Sequence, residues 1–399
     1  MSQNKPAILG GSPLLNSSQL PWPPKTPGIE QAFQRLLSSG DWGRYDSAES
    51  LSLMEDLKAF NATDHITLCS SGTAAMELAL RGIGLQNGEE VLLSAYDFKS
   101  NFTNICLLGA VPVLIDLDEN AQLDAELLKQ ALTPKTKAIV ISPLHGGFPN
   151  LAAIRTLATE NQLSVIIDSC QCPGAQFQHQ PMSHWGEIEI WSFGGSKLLT
   201  SGRGGAVMTK SREIHERISR YQQRGNLAYP LSEMQAAVLK SQLAELKQSH
   251  SIRHRHVTQL TETTGKHDFP FVCPSAEECQ SQGHKPVFYK LGCWLPEAIS
   301  KQLSRDQFIA AMRAEGIPIA AGFRSLHLIH SQRRYHSPFE LSQASKADEQ
   351  LLQLHHTFLW LNNAAEVWNE ALSKILDHHS QIAQLPAQTI QSQLPQLFH

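Results

Sequence analysis

Lys197 follows Trp191-Ser192-Phe193-Gly194-Gly195-Ser196, so it leaves an apolar run through a glycine pair and should point toward the end of the strand that run forms. A lysine held in such a place can lose its proton and attack a carbonyl. Asp168 closes the run Val165-Ile166-Ile167 and puts a carboxylate at the C-terminal edge of a strand, where open α/β sheets bind ligands. Ser70-Ser71-Gly72-Thr73 stands where a strand gives way to a helix, and its backbone N–H groups and hydroxyls suit an anion. Each feature has a plainer reading when taken alone. Lys197 reads as a solvated loop lysine, Ser71 or Thr73 as an ordinary helix cap, and Asp168 as a cap or structural ion pair; Asp116 ends Val113-Leu114-Ile115 in the same way. Together, and in this order, they meet the needs of pyridoxal phosphate. Its phosphate needs a helix N-terminus, its pyridine nitrogen needs a carboxylate to stay protonated, and its aldehyde needs an amine.

These residues require a sheet with helices on its faces. Brief apolar runs predict strands at 65–70, 90–94, 111–116, 138–142, 164–168, 188–193 and 205–209, most of them continuous as strands buried on both sides should be. Helices at 73–82, 124–132 and 151–160 have the length that parallel crossovers need. A long helix from 233 to about 264 carries Ala236, Leu239, Leu243 and Leu246 at helical spacing and bridges to a smaller α/β region. That region has a strand at 287–291 and helices at 305–315 and 347–354. The expected division is an N-terminal arm over 1–40, a large domain over 41–245, a small domain over 246–381 and a Gln-, Leu- and Pro-rich tail over 382–399.

Bulk properties narrow the class. A hydrophobic share of 41% over 399 residues describes a globular chain with room for two domains. The net charge is −4 and the lysines and arginines are scattered, so no basic stripe offers itself to nucleic acid. No run approaches the roughly 20 apolar residues of a membrane span. The seven cysteines are odd in number and several sit in apolar runs, which predicts reduced thiols and a cytoplasmic protein. His250, His254 and His256 have near-helical spacing but lack a further ligand, so no metal is expected; Cys170 and Cys172 read as packing.

Over nearly all of residues 5 to 375 the sequence resembles the DegT/DnrJ/EryC1/StrS family of sugar aminotransferases. The resemblance rests on Ser71-Gly72-Thr73-Ala74-Ala75-Met76-Glu77-Leu78-Ala79, on Gly109-Ala110-Val111-Pro112-Val113 with Asp116 and Asp118, on Thr133-Pro134-Lys135-Thr136-Lys137, and on Pro143-Leu144-His145. Asp168-Ser169-Cys170-Gln171 and Ser192-Phe193 with Ser196-Lys197 continue it. It implies fold type I of the pyridoxal phosphate transferases: α/β, a mostly parallel central sheet with helices on both faces, and a smaller C-terminal α/β domain. It also implies Lys197 as the Schiff-base lysine, Asp168 as the pyridinium partner, Gln171 at the ring hydroxyl, and Gly72, Thr73 and Ser192 at the phosphate. Phe98 takes the place of the aromatic stacked on the ring.

Gly10-Gly11-Ser12-Pro13, Trp22-Pro23, Gly40-Asp41-Trp42 and Ala320-Ala321-Gly322-Phe323-Arg324 resemble the branch of 3-amino-5-hydroxybenzoate synthase and the scyllo-inosose aminotransferases. That branch implies a keto-cyclitol or a nucleotide-linked keto-sugar as acceptor and glutamate or glutamine as donor. Arg324 and His327 are candidates for the acceptor pocket. The family also implies a homodimer whose sites are completed by the partner. The chain departs from the pattern where Ala228 and Pro230 replace an Asn and an Arg, where Arg203 replaces a Glu, and over 145–149, which is one residue short. Asn226, or Arg224 beside it, is expected to take over the reach to the partner's phosphate. The alternatives are a non-enzymatic sensor of pyridoxal phosphate or sugar, and a sugar dehydratase, in which a histidine would stand in place of Lys197.

Overall fold

A computed structural model describes residues 4–45, 47–263 and 269–394. Residues 1–3 of the expected arm, the expected helix end at 264 and residues 395–399 of the expected tail lie outside them. The large domain is a seven-stranded sheet of β1 (His65–Cys69), β2 (Glu90–Ser94), β3 (Val111–Ile115), β4 (Thr136–Ile141), β5 (Ser164–Asp168), β6 (Ile188–Ser192) and β7 (Gly205–Thr209). The spatial order is β1-β7-β6-β5-β4-β2-β3, with β7 antiparallel to both its neighbours and the remaining pairs parallel.

Helices cover both faces: α1 (Pro27–Ser39), α2 (Ala48–Asn61), α3 (Gly72–Gly82), α4 (Lys99–Leu107), α5 (Ala125–Ala131), α6 (Leu151–Glu160), α7 (Arg212–Gln222) and α8 (Glu233–Thr263). Continuous Val/Ile runs suit this arrangement, because alternate side chains of one strand enter two different cores. Ile139, Ile141, Val165 and Ile167 pack in one core with Ala236, Leu239 and Leu243 of α8. Ala138, Val140, Ile166 and Ile190 pack in the other with Ala75 and Leu78 of α3. Each fully buried aliphatic side chain contributes about 1.5–3 kcal/mol relative to exposure.

The small domain holds β8 (Lys290–Trp294), β9 (Ile319–Ala321) and β10 (Leu351–His355) in the order β8-β10-β9, all antiparallel. Its strands obey a period of two. Leu291, Cys293, Leu352 and Leu354 join a core with Phe308 and Met312 of α9 (Arg305–Ala314) and with Trp368 and Leu372 of α10 (Ala364–Asp377). Lys290 and Gln353 lie on the opposite face, toward the large domain.

Three expectations toward the C-terminus change. The helix expected over 347–354 divides into a helix at Ser342–Gln350 and the central strand β10, since Leu351 to His355 are buried on both sides and only tertiary packing decides between helix and strand for such a leucine run. The strand expected at 287–291 lies three residues further on, at Lys290–Trp294. The segment expected as a tail forms short helices at His379–Ala383 and Ala387–Ser392, with Ile382 and Ile390 buried.

The N-terminal segment is tied to the small domain. Glu315 and Lys374 form a fully buried ion pair at 2.7 Å. Glu315 also accepts from the Ala7 amide at 2.7 Å, and Lys374 donates to the Ser12 carbonyl at 3.1 Å. No helix among the described residues is long and apolar enough to cross a membrane.

Candidate active site

The C-terminal ends of the parallel strands and the inner face of the small domain enclose a cavity of about 580 Å³. Gly72, Thr73, Phe98, Asp168, Gln171, Ser192 and Lys197 all line it.

Lys197 is placed by a loop gripped from several sides. Its own amide closes a turn onto the Gly194 carbonyl at 2.9 Å. Trp22 of the N-terminal arm donates to the Gly195 carbonyl at 2.8 Å, and His356 meets the Ser196 carbonyl at 3.0 Å. The Ser196 hydroxyl pairs with the Tyr289 hydroxyl at 2.7 Å, and Lys197 Nζ lies 4.2 Å from the centroid of the Tyr289 ring. Such fixing from three segments gives the amine one position from which to meet a carbonyl.

Asp168 sits at the end of β5 with its Oδ1 accepting from the Cys170 amide at 3.0 Å and its Oδ2 from Asn101 Nδ2 at 2.9 Å. Each carboxylate oxygen keeps a lone pair for a protonated ring nitrogen. Asn101 Nδ2 also lies 3.3 Å from Asp97 Oδ1 and 3.3 Å from the Ser142 hydroxyl. Asp97 is buried, and its Oδ2 has no partner. Burial, and then the neighbouring Asp168, push the Asp97 carboxyl up to about 7.

At the far end the N-terminus of α3 faces Ser192. Ser71 is the helix cap, accepting from the Ala74 amide at 3.0 Å, so its hydroxyl is engaged and the first amides of the helix stay free for an anion. A Cβ on Gly72 would come within 2.7 Å of Ser192 Cβ. Only a residue without one leaves this close approach open. An anion site, an amine and a strand-end carboxylate thus line one cavity in the arrangement that pyridoxal phosphate requires, and the residues present fit the group.

The other sequence-predicted residues lie elsewhere. Arg324 pairs with Asp348 at 3.0 Å, its side chain is 63% exposed, and it does not line the cavity. His327 lies in a separate open groove with Arg334 and His336, its Nε2 at 3.0 Å from the Ser345 hydroxyl. Neither lines this cavity: Arg324 is held by Asp348 and His327 lies against Ser345, both of helix Ser342–Gln350. Asn226 belongs to an exposed hairpin and does not reach the cavity of its own chain. Arg203 stands at the cavity rim, its carbonyl accepting from Gln235 at 2.9 Å. His250 and His256 bond to the carbonyls of Pro173 and Leu359, and no group of metal-ligating side chains occurs among the described residues.

Asp97, Asn101, Tyr289, Lys290, Phe323 and Gln353 line the cavity without having been singled out from the sequence. The Asp97/Asn101 spacing of one helical turn was the available signal for the first two.

The profile of the DegT/DnrJ/EryC1/StrS aminotransferase family matches residues 25–377. L-glutamine:2-deoxy-scyllo-inosose aminotransferase from Streptoalloteichus tenebrarius is 28% identical over 94% of this chain and 98% of its own length. 3-amino-5-hydroxybenzoate synthase from Amycolatopsis mediterranei is 27% identical over 77% of this chain and 81% of its own. The crystal structure of a 3-amino-5-hydroxybenzoic acid synthase aligns with a TM-score of 0.78 at 24% identity, covering 89% of this chain and 97% of that one.

Proposed function

The chain belongs to the DegT/DnrJ/EryC1/StrS aminotransferase family, and from that premise we propose that it moves an amino group from glutamine or glutamate to the ketone of a cyclitol or sugar, nucleotide-linked or not. It is an aminotransferase with pyridoxal phosphate as its cofactor. The observation that carries the reading is the convergence of Lys197, Asp168 and the α3 N-terminus on one cavity. The acceptor class follows the similarity to scyllo-inosose aminotransferases along nearly the full chain.

Pyridoxal phosphate supplies, when bound, an aldehyde that takes up the amino group and a ring that draws electrons from the reacting carbon. Lys197 Nζ is the amine that would hold the cofactor and that could move a proton at the reacting carbon. Asp168 keeps the proton on the pyridine nitrogen. The free amides at Gly72 and Thr73, with the Ser192 hydroxyl, bind the phosphate. Gln171 orients the ring hydroxyl. Phe98, 48% exposed and lining the cavity, would cover the ring face and exclude water from it.

The reading includes a homodimer. Phe33 and Leu37 of α1, Leu51 of α2, Met234 of α8 and the nearby Trp42 and Tyr45 are all exposed, an apolar group that a second copy would cover. Seven free cysteines suit a reducing compartment, so we place the enzyme in the cytoplasm.

The experiment is a screen of keto-cyclitols and nucleotide keto-sugars for amine transfer from glutamine, paired with borohydride reduction and peptide mass mapping. We expect the reduced cofactor on Lys197 and transfer to at least one polyhydroxylated ketone. Covalent label retained by Lys197→Ala, or no transfer from either donor by the cofactor-loaded protein, overturns the reading.

A further inference from the structure

Lys197 is not the only amine in the cavity. Lys290, the first residue of β8, lines it as well, from the small-domain side. The two lysines flank one ring, with Lys197 Nζ 4.2 Å and Lys290 Nζ 5.3 Å from the centroid of Tyr289.

Among the described residues nothing acidic answers Lys290. Burial, and then the charges of Lys197 and Arg313, push its ammonium down to about 7. His145, His355 and His356 feel its charge from the adjoining walls, and burial keeps all three imidazoles neutral. The wall below is closed by His145, packed so tightly under β8 that a Cβ on Gly292 would come within 2.5 Å of its own Cβ. Both carboxylates of the cavity, Asp97 and Asp168, are bound to Asn101 instead. A cation in a partly enclosed, polar-walled site without a counter-charge is a site for an anion.

The phosphate end of the cofactor is served by α3, so Lys290 awaits a second anion. A keto-cyclitol has none and a nucleotide-linked keto-sugar carries its diphosphate several bonds from the reacting ketone, whereas an amino-acid donor carries its carboxylate on the very carbon that bears the reacting amine. We propose that Lys290 holds the α-carboxylate of the amino-acid donor and is the residue by which this cavity recognises the donor rather than the acceptor. The inference rests on the aminotransferase reading above.

The test separates donor from acceptor and binding from turnover. Titration calorimetry of the cofactor-loaded protein with glutarate, an unreactive dicarboxylate, should show binding that weakens about 10- to 100-fold in Lys290→Ala, the usual loss for a charge-assisted hydrogen bond. Lys290→Arg should keep most of it. In single half-reactions Lys290→Ala should raise the glutamine KM by a similar factor and leave the acceptor half-reaction unchanged. L-glutaminol, which lacks the carboxylate, should be a poor donor for the wild type and no worse for the variant. A wild type that does not bind glutarate, a variant that binds it as tightly, or equal damage to both half-reactions overturns the assignment. Loss of glutarate binding in Lys290→Ala without amine transfer by the wild type leaves the carboxylate site standing and removes the aminotransferase reading instead.

Discussion

The side-chain amide of Asn101 donates to Asp168 Oδ2 at 2.9 Å, across from the first turn of α4 to the end of β5. This contact keeps the carboxylate aimed into the cavity while its other oxygen is held by the Cys170 amide. Asn101→Ala should therefore leave the fold intact and weaken cofactor binding about 10-fold or more, the cost of a lost hydrogen bond to a charged group. Asp168→Asn should keep some cofactor but lose most turnover, because an amide cannot hold the pyridinium proton as a carboxylate does. Equilibrium dialysis and single-turnover rates read the two effects apart. Wild-type turnover in Asp168→Asn would give Asp168 another task.

Asp97 makes stability depend on pH. Its carboxyl lies at about 7 in the folded protein against an ordinary 3.8, so between those values the native state holds a proton that the unfolded chain has released. Stability from this group is fully present below about pH 4 and falls as pH rises to about 7, then stays level. Asp97→Asn removes the ionisation with little change of shape. The variant's gain in urea midpoint over wild type, in protein freed of cofactor, should be larger at pH 8 than at pH 5. Equal gains at both would mean that folding does not raise this carboxyl.

Gly72 opens α3 against β6. Alanine is the better helix former there by roughly 0.5–1 kcal/mol, but its Cβ would meet Ser192 Cβ at 2.7 Å and Ser192 Oγ at 3.0 Å. Overpacking of that kind costs about 1–3 kcal/mol, so the clash outweighs the propensity. Gly72→Ala should lower Tm and also loosen the cofactor, since Ser192 must yield first. An unchanged Tm with unchanged cofactor affinity would show that the helix shifts freely.

What could be read from the sequence was whatever lay next to a strand end. Asp168, Lys197 and Gly72 each adjoin an apolar run whose direction fixes where the next residue goes, and β5, β6 and α3 put them where those runs indicate. Asn101 has no such neighbour. It looks like an ordinary polar residue of a helix, and its role comes from α4 lying across β5, a contact between residues 67 positions apart. Lys290 is a strand residue whose importance depends on the small domain docking over the large one. Arg324 stands out from the sequence only by the run it belongs to, and nothing local reveals Asp348, its partner 24 positions on. Leu351 to His355 show the same limit in the fold, since a leucine-rich run carries no period until its neighbours are known.

The hairpin after α7 gives the last prediction. Gln223–Arg224 pairs with Asn226–Leu227 around Gly225, whose φ of 91° a side chain would strain. The hairpin is exposed, and the Arg224 guanidinium rests 4.2 Å from the Tyr221 ring. In the proposed dimer this projecting segment would reach the partner's phosphate, with Asn226 or Arg224 doing what Ala228 and Pro230 cannot. A hydrogen bond to a charged phosphate is worth about 1.5–3 kcal/mol, so Asn226→Ala or Arg224→Ala should release cofactor on dialysis about 10-fold more readily while sedimentation still shows a dimer. Gly225→Ala, which touches neither side chain, should do the same by straining the turn. A hairpin that served only its own chain's surface would leave cofactor retention unchanged in all three. If it does, and Ala228→Asn tightens binding by an order of magnitude, the phosphate grip is simply reduced in this chain and the hairpin has no part in it.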